Sequence, residues 1–226
     1  MHILMLCGIN CTRQIWDRML PFLSGHDTVC PDYPHEMLRC AKSPDDVARW
    51  VQKIYGSQSF DAVIGHSMGG ILALRLAASG AVHVPEIICL DTNLCPANAF
   101  YRNLMTPAHM KTFGPQVMRM FEQERPFVRP ELTARLRENF DYTADVRALS
   151  QTVHILYGDR QTPDYPNRIS DLNLPPDIPE RLDLRFVPNA CHMLMMENPS
   201  GTAHEILDIL KKYHPCHTPG QHSAFG

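Results

Sequence analysis

The 226-residue sequence has little of several things, and each shortage excludes a class. No apolar run approaches the roughly 20 residues that a membrane-spanning helix needs. Neither sign of charge dominates: 21 Lys and Arg stand against 24 Asp and Glu, for a formal charge of −3. The large basic excess that draws a protein to nucleic acid or to an anionic membrane surface is missing. The eight cysteines show no Cys-x-x-Cys spacing that would suggest a zinc or redox motif. The first residues, Met1-His2-Ile3-Leu4-Met5-Leu6-Cys7, are apolar, but have no basic region and no cleavage site. They read as a first strand rather than a secretion signal. Free thiols in a reducing cytoplasm are therefore expected.

The composition is that of one globular domain, 44% apolar and long enough for a substantial core. Short apolar runs recur along it: 2–7, 28–30, 62–64, 86–90, 153–157 and 182–187. Between them lie segments with helical periodicity. Gln14 to Leu23 carries Ile15, Met19 and Leu23 on one face. Ser43-Pro44-Asp45-Asp46 opens another helix with a capping serine, a proline in the first turn and acids at its positive end. The last helix runs from Pro199 to Tyr213. Strands alternating with helices predict a mostly parallel sheet of about six strands with helices on both faces. From Thr92 to Ser150 the pattern changes. Aromatic and Met residues dominate, and Pro107, Pro115, Pro126 and Pro130 are expected to break the helices. The tail 214–226 is rich in His, Pro and Gly and is expected to be disordered. Its His214, Cys216, His217 and His222 lack convincing metal-ligand spacing.

The stretch Phe60-Asp61-Ala62-Val63-Ile64-Gly65-His66-Ser67-Met68-Gly69-Gly70 carries the chemistry. It predicts a buried strand that turns at once into a helix, with Ser67 at the apex of Gly-x-Ser-x-Gly. So sharp a turn strains the apex residue and lifts its hydroxyl above the sheet. Catalytic groups in parallel sheets sit at the C-terminal ends of strands. Those ends carry Gly8-Ile9-Asn10, Ser67, Asp91, Gly158-Asp159 and Asn189-Ala190-Cys191-His192. A nucleophile, two acids and a histidine thus emerge on one edge. His66, inside the turn, reads as packing.

These segments resemble the α/β-hydrolase superfamily over residues 1 to about 213. Gly65-His66-Ser67-Met68-Gly69-Gly70 resembles its nucleophile elbow, and Cys7-Gly8-Ile9 its His-Gly loop. Gly158-Asp159-Arg160 resembles the acid loop, and Ala190-Cys191-His192 with Glu197-Asn198-Pro199 the histidine loop. The resemblance implies a serine hydrolase of esters or thioesters, with a helical lid at 92–150. Ser67 would be the nucleophile and His192 the base. The backbone N–H groups of Ile9 and Met68 would form the oxyanion hole. No metal or cofactor is implied; the partner is a small, largely apolar acyl substrate.

Two departures stand out. Cys7 replaces the histidine before Gly8. The usual acid position holds Gln161, which cannot stabilise an imidazolium by charge. Asp91 and Asp159 are equal candidates for the acid, with Asp164 third. Asp91 matches the relocated acid of members such as the haloalkane dehalogenases. Two other readings stay open. One is C–C hydrolysis or lyase chemistry like that of menaquinone-pathway members, which Arg119, Arg125 and Arg129 would suit. The other is a non-catalytic ligand-binding protein, suggested by Gln161.

Overall fold

The computed structural model describes residues 1–80, 82–138 and 140–213. The tail 214–226, for which disorder was expected, lies outside them. Six strands form one all-parallel sheet: β1 His2–Leu6, β2 Asp27–Val29, β3 Ala62–His66, β4 Glu86–Leu90, β5 Val153–Gly158 and β6 Leu182–Val187. Their order is β2-β1-β3-β4-β5-β6. Strands β3 and β4 are buried at every position, as their unbroken apolar runs require in a sheet covered on both faces.

Helices α1 (His35–Leu38) and α2 (Pro44–Tyr55) precede β3, and α3 (Met68–Ala78) follows it. Between β4 and β5 lie α4 (Pro107–Thr112), α5 (Gly114–Glu124), α6 (Pro130–Arg135) and α7 (Thr143–Ala148). The chain ends in α8 (Leu194–Glu197) and α9 (Pro199–Tyr213). Helix α3 packs on β1, β3 and β4 together with α2 and α7, and α9 packs on β4 and β6 together with α8. The Ser43 cap forms as the sequence predicts, with a reciprocal bond between Ser43 and Asp46.

One local expectation is corrected. The single helix expected over 14–23 is two short 3₁₀ turns, Arg13–Trp16 and Leu20–Leu23. Pro21 has no N–H to continue an α-helical ladder through that segment. The prolines of the 92–150 segment divide it into short helical pieces, as expected, and each stands at the start of a piece. Pro107 and Pro130 are the first residues of α4 and α6, and Pro115 is the second of α5. There the missing N–H costs nothing.

Strand ends are in step across the sheet. Leu6 pairs with Gly65, His66 with Leu90, and Leu90 with Leu156. The loops after β1, β3, β4, β5 and β6 therefore leave from one edge. The chain runs outward from β1 to β2 and then crosses back to β3, so the crevice between β1 and β3 is the topological switch point of the sheet.

At the opposite edge, Glu86 opens β4 with its carboxylate 3.4 Å from His154 Nε2. Burial pushes Glu86 up to about 7 from an ordinary 4.5. An acid raised in the fold contributes stability fully present below its unfolded pKa and lost as pH rises through the folded one. Glu86→Gln should therefore gain about 2 kcal/mol on the wild type between pH 5 and pH 8. Urea unfolding at both pH values measures this; an equal difference at the two would refute it.

Candidate active site

Ser67 is built by the junction of β3 and α3. Its backbone lies at φ 53 and ψ −116, a conformation that L residues rarely hold. The turn survives because its neighbours have no side chain. A Cβ on Gly65 would meet the Gly69 carbonyl at 2.2 Å, and one on Gly69 would meet the Leu6 carbonyl at 2.0 Å. The Ser67 N–H donates to the Leu90 carbonyl at 2.9 Å, and its own carbonyl accepts from Gly70 N–H and Thr92 Oγ1. The strained residue is thus anchored to the end of β4 through its N–H and to α3 and the loop after β4 through its carbonyl. Met68 begins α3 directly behind it and is buried. The loop after β1 lies against the same spot: a Cβ on Gly8 would stand 3.2 Å from Ser67 Cβ. Gly8 and Met68 therefore flank Ser67 from two sides.

His192 stands on the loop after β6. Its Nδ1 lies 2.9 Å from Asp91 Oδ1, while its side chain keeps 27% exposure. Asp91, the residue after β4, is fully buried and also turned through a positive φ, 44°. Its second oxygen accepts from Gly158 N–H at 3.3 Å and from Arg160 Nη2 at 2.7 Å. Burial works to raise the Asp91 pKa; Arg160 and His192 overcome it and hold the carboxyl below its usual range. Asp91 is therefore an anion facing the imidazole at neutral pH.

Sequence alone leaves Asp91 and Asp159 level; the structure separates them. Asp159 Oδ1 accepts from the N–H groups of Gln161 and Asn189, each at 2.8 Å, and so ties the loop after β5 to the loop after β6. Among the described residues, neither Gln161 nor the exposed Asp164 hydrogen-bonds to His192. Among the described residues no hydrogen bond joins Ser67 Oγ to His192. Contacts of this kind are commonly long until substrate closes them.

Three further residues shape the site and were not assigned to it from sequence. His66 is more than packing. Its Nε2 lies 3.0 Å from the His192 carbonyl, so it must carry the proton and donate. The two rings are 4.6 Å apart. Burial first, then the charge of His192, pushes His66 down to about 3, so it stays neutral. Glu197, with a fully buried side chain, accepts from Cys191 N–H at 2.7 Å and from Thr106 N–H at 2.7 Å. It thereby staples the His192 loop to the start of α4. Backbone bonds from His192 to Asn103 and from Met193 to Leu104 extend the same seam. Arg160 is the third. Only the Glu-x-Pro pattern marked Glu197 in the sequence; the other two are visible only through partners distant in the chain.

The comparisons identify the fold and the family. The profile of the alpha/beta hydrolase family matches residues 3–205, and the chain belongs to that family. Among solved structures it is similar to a hydrolase from Oleispira antarctica, at TM-score 0.70 and 14% identity over 93% of this chain and 90% of that one. It is also similar to a thermophilic esterase from Thermogutta terrifontis solved with malate, at TM-score 0.66 and 18% identity over 95% and 90% of the two chains. A third is the thioesterase domain from the curacin biosynthetic pathway, at TM-score 0.66 and 16% identity over 92% and 90%. At these identities the likeness is one of fold. A search of curated protein sequences finds no match.

Glu197→Ala would leave two buried donors without their acceptor, the N–H groups of Cys191 and Thr106, and would free the partly exposed His109. Each buried group costs about 1–3 kcal/mol, so the variant should lose roughly 2 kcal/mol or more of stability. Chemical denaturation would show it, and a loss under 1 kcal/mol would deny the staple.

Proposed function

We propose that the protein is a serine hydrolase that cleaves a carboxylic ester or thioester of a small, largely apolar substrate through an acyl-enzyme on Ser67. The observation that carries this reading is a strained serine at the strand–helix apex, on the same sheet edge as a histidine paired with a buried aspartate at 2.9 Å. In the proposed reaction His192 removes the Ser67 proton as the hydroxyl attacks the carbonyl carbon. The N–H groups of Ile9 and Met68 hold the oxyanion. Removing one such donor commonly costs about 3 kcal/mol of transition-state stabilisation. Asp91 fixes the imidazole with its proton on Nδ1, which leaves Nε2 free to act as base, and it stabilises the imidazolium that follows. His192 then passes the proton to the leaving group. Water repeats the attack and frees the acid. Asp159 is a loop tie in this scheme.

The segment 92–150 would be the lid. Its Tyr101, Met105, Val117 and Met120 are buried, so it packs as core. Its Met and aromatic content suits an apolar acyl group. The esterase and thioesterase named among the similar structures act on bonds of the proposed class. The motive for a non-catalytic reading was Gln161, and Asp91 supplies the carboxylate that Gln161 lacks. For an anionic lyase substrate, Arg129 is a poor candidate, since Glu131 takes its guanidinium at 2.6 Å. Seven free cysteines among the described residues fit the proposed cytoplasmic location.

The test is hydrolysis of p-nitrophenyl esters from acetate to decanoate. Ser67→Ala should abolish turnover. Asp91→Asn should lower kcat on the order of 10³-fold or more, as loss of a triad acid does, and Asp159→Asn by less than tenfold. Activity that survives Ser67→Ala, or equal losses in the two aspartate variants, would defeat the assignment.

A further inference from the structure

Arg160 belongs to none of the roles above, yet it touches the centre of the site. Its side chain is 2% exposed. Nη2 lies 2.9 Å from Asp91 Oδ1 and 2.7 Å from Oδ2. That same Oδ1 accepts from His192 Nδ1 at 2.9 Å. Nη1 donates to the Gly158 carbonyl, and Nη2 also reaches the Tyr101 carbonyl at 3.5 Å. The Tyr101 ring lies 4.7 Å from the guanidinium carbon, within range of a cation–π contact. The Arg160 backbone is held too: φ is 53, and its N–H donates to Ala190, two residues before His192. The guanidinium is thus gripped by its own loop, by Tyr101 and by Asp91.

One buried carboxylate therefore faces two groups that can carry positive charge. Arginine does not give up its proton in proteins. The charge of Asp91 is already balanced while His192 is neutral. Protonating His192 would set two cations against one anion where screening by water is weak. An aspartate without the arginine would do the reverse and draw a proton onto the imidazole. The other groups around His192 do not change this balance. His66, on β3, stays neutral. Burial pushes the neighbouring Cys191 thiol up to about 12. The Glu197 carboxylate is turned to the Cys191 and Thr106 N–H groups, with His109 behind it. Asp159 is turned to the N–H groups of Gln161 and Asn189.

We propose that Arg160 is a positioning residue that sets the charge state of His192: it fixes the Asp91 carboxylate and, by balancing it, keeps the imidazole unprotonated to lower pH than an unshared aspartate would. The role in turnover rests on the hydrolase reading above.

The test is an NMR titration of histidine-labelled full-length protein, with the His192 signal identified by its loss in His192→Gln. In Arg160→Met and Arg160→Gln the midpoint of the His192 titration should rise by about one pH unit, a tenfold gain in proton affinity. Arg160→Lys keeps the charge and should stay within about 0.3 unit of the wild type. The acid limb of kcat/KM should move with the NMR midpoint. A merely structural arginine would lower activity by the same factor at every pH. A His192 midpoint unchanged or lowered in Met and Gln variants that fold would overturn the proposal. Should neither fold, Asp91→Asn alone is compared with Asp91→Asn combined with Arg160→Met, since removing both partners of a buried ion pair is better tolerated than removing one. The double variant should then titrate about one unit above the single one, and coincident midpoints would overturn the proposal. The titration needs no turnover. A chain that cleaves no ester would defeat the hydrolase reading and leave the Arg160 result standing.

Discussion

The Asp91 carboxylate is the acceptor on which the site depends. It is fully withdrawn from water, and an isolated charge there would be very costly. Its three donors come from two strand ends: Gly158 N–H and the Arg160 guanidinium after β5, and His192 Nδ1 after β6. None is near Asp91 in sequence; His192 is 101 residues away. Folding the sheet in its proper order brings them together, and the anion in turn orders both loops. Breaking one partner would expose the others to a poorly compensated buried charge. That is why the loops after β5 and β6 can carry little regular structure and still hold side chains in place.

The same edge concentrates backbone strain. Asn10 after β1, Ser67 after β3, Asp91 after β4, Arg160 and Gln161 after β5, and Asn189 after β6 all have positive φ, and none is glycine. Such conformations persist only where surrounding contacts over-determine them. Here those contacts are visible. Ser67 is held by Leu90, Gly70 and Thr92, Asp91 by Leu156, Arg160 by Ala190, and Asn189 by Asp159. A rigid parallel sheet supplies the binding free energy that keeps its own C-terminal edge turned.

Much of this was legible from residues alone, for a physical reason. Strands buried on both faces must be apolar throughout, so β1, β3, β4 and β5 stand out as short runs. The Ser67 turn is local, and its glycines are a steric requirement readable in five letters. The His192 loop follows the last strand at a fixed distance. What sequence could not decide was which carboxylate meets His192. Asp91 and Asp159 both follow strands, and only side-chain direction separates them. The 3₁₀ turns around Pro21 were missed because apolar spacing outweighed one proline. His66 and Arg160 escaped because a residue type does not disclose a partner more than sixty positions away.

The substitution of Gln161 for the usual acid fits this picture. The loop after β5 keeps its shape through Asp159, which is used as a hydrogen-bond clamp on Gln161 and Asn189. The carboxylate that faces the histidine comes instead from the neighbouring strand. That move has a consequence of its own. An acid at the end of β4 lies beside the start of the 92–150 insertion, where Tyr101 covers Arg160. Asn103 and Leu104 bind the backbone of His192 and Met193. An acid placed on β5 would be set by the sheet and its loop alone. Placed on β4, it is set together with the 92–150 segment, whose Asn103 and Leu104 also hold the backbone of the histidine loop.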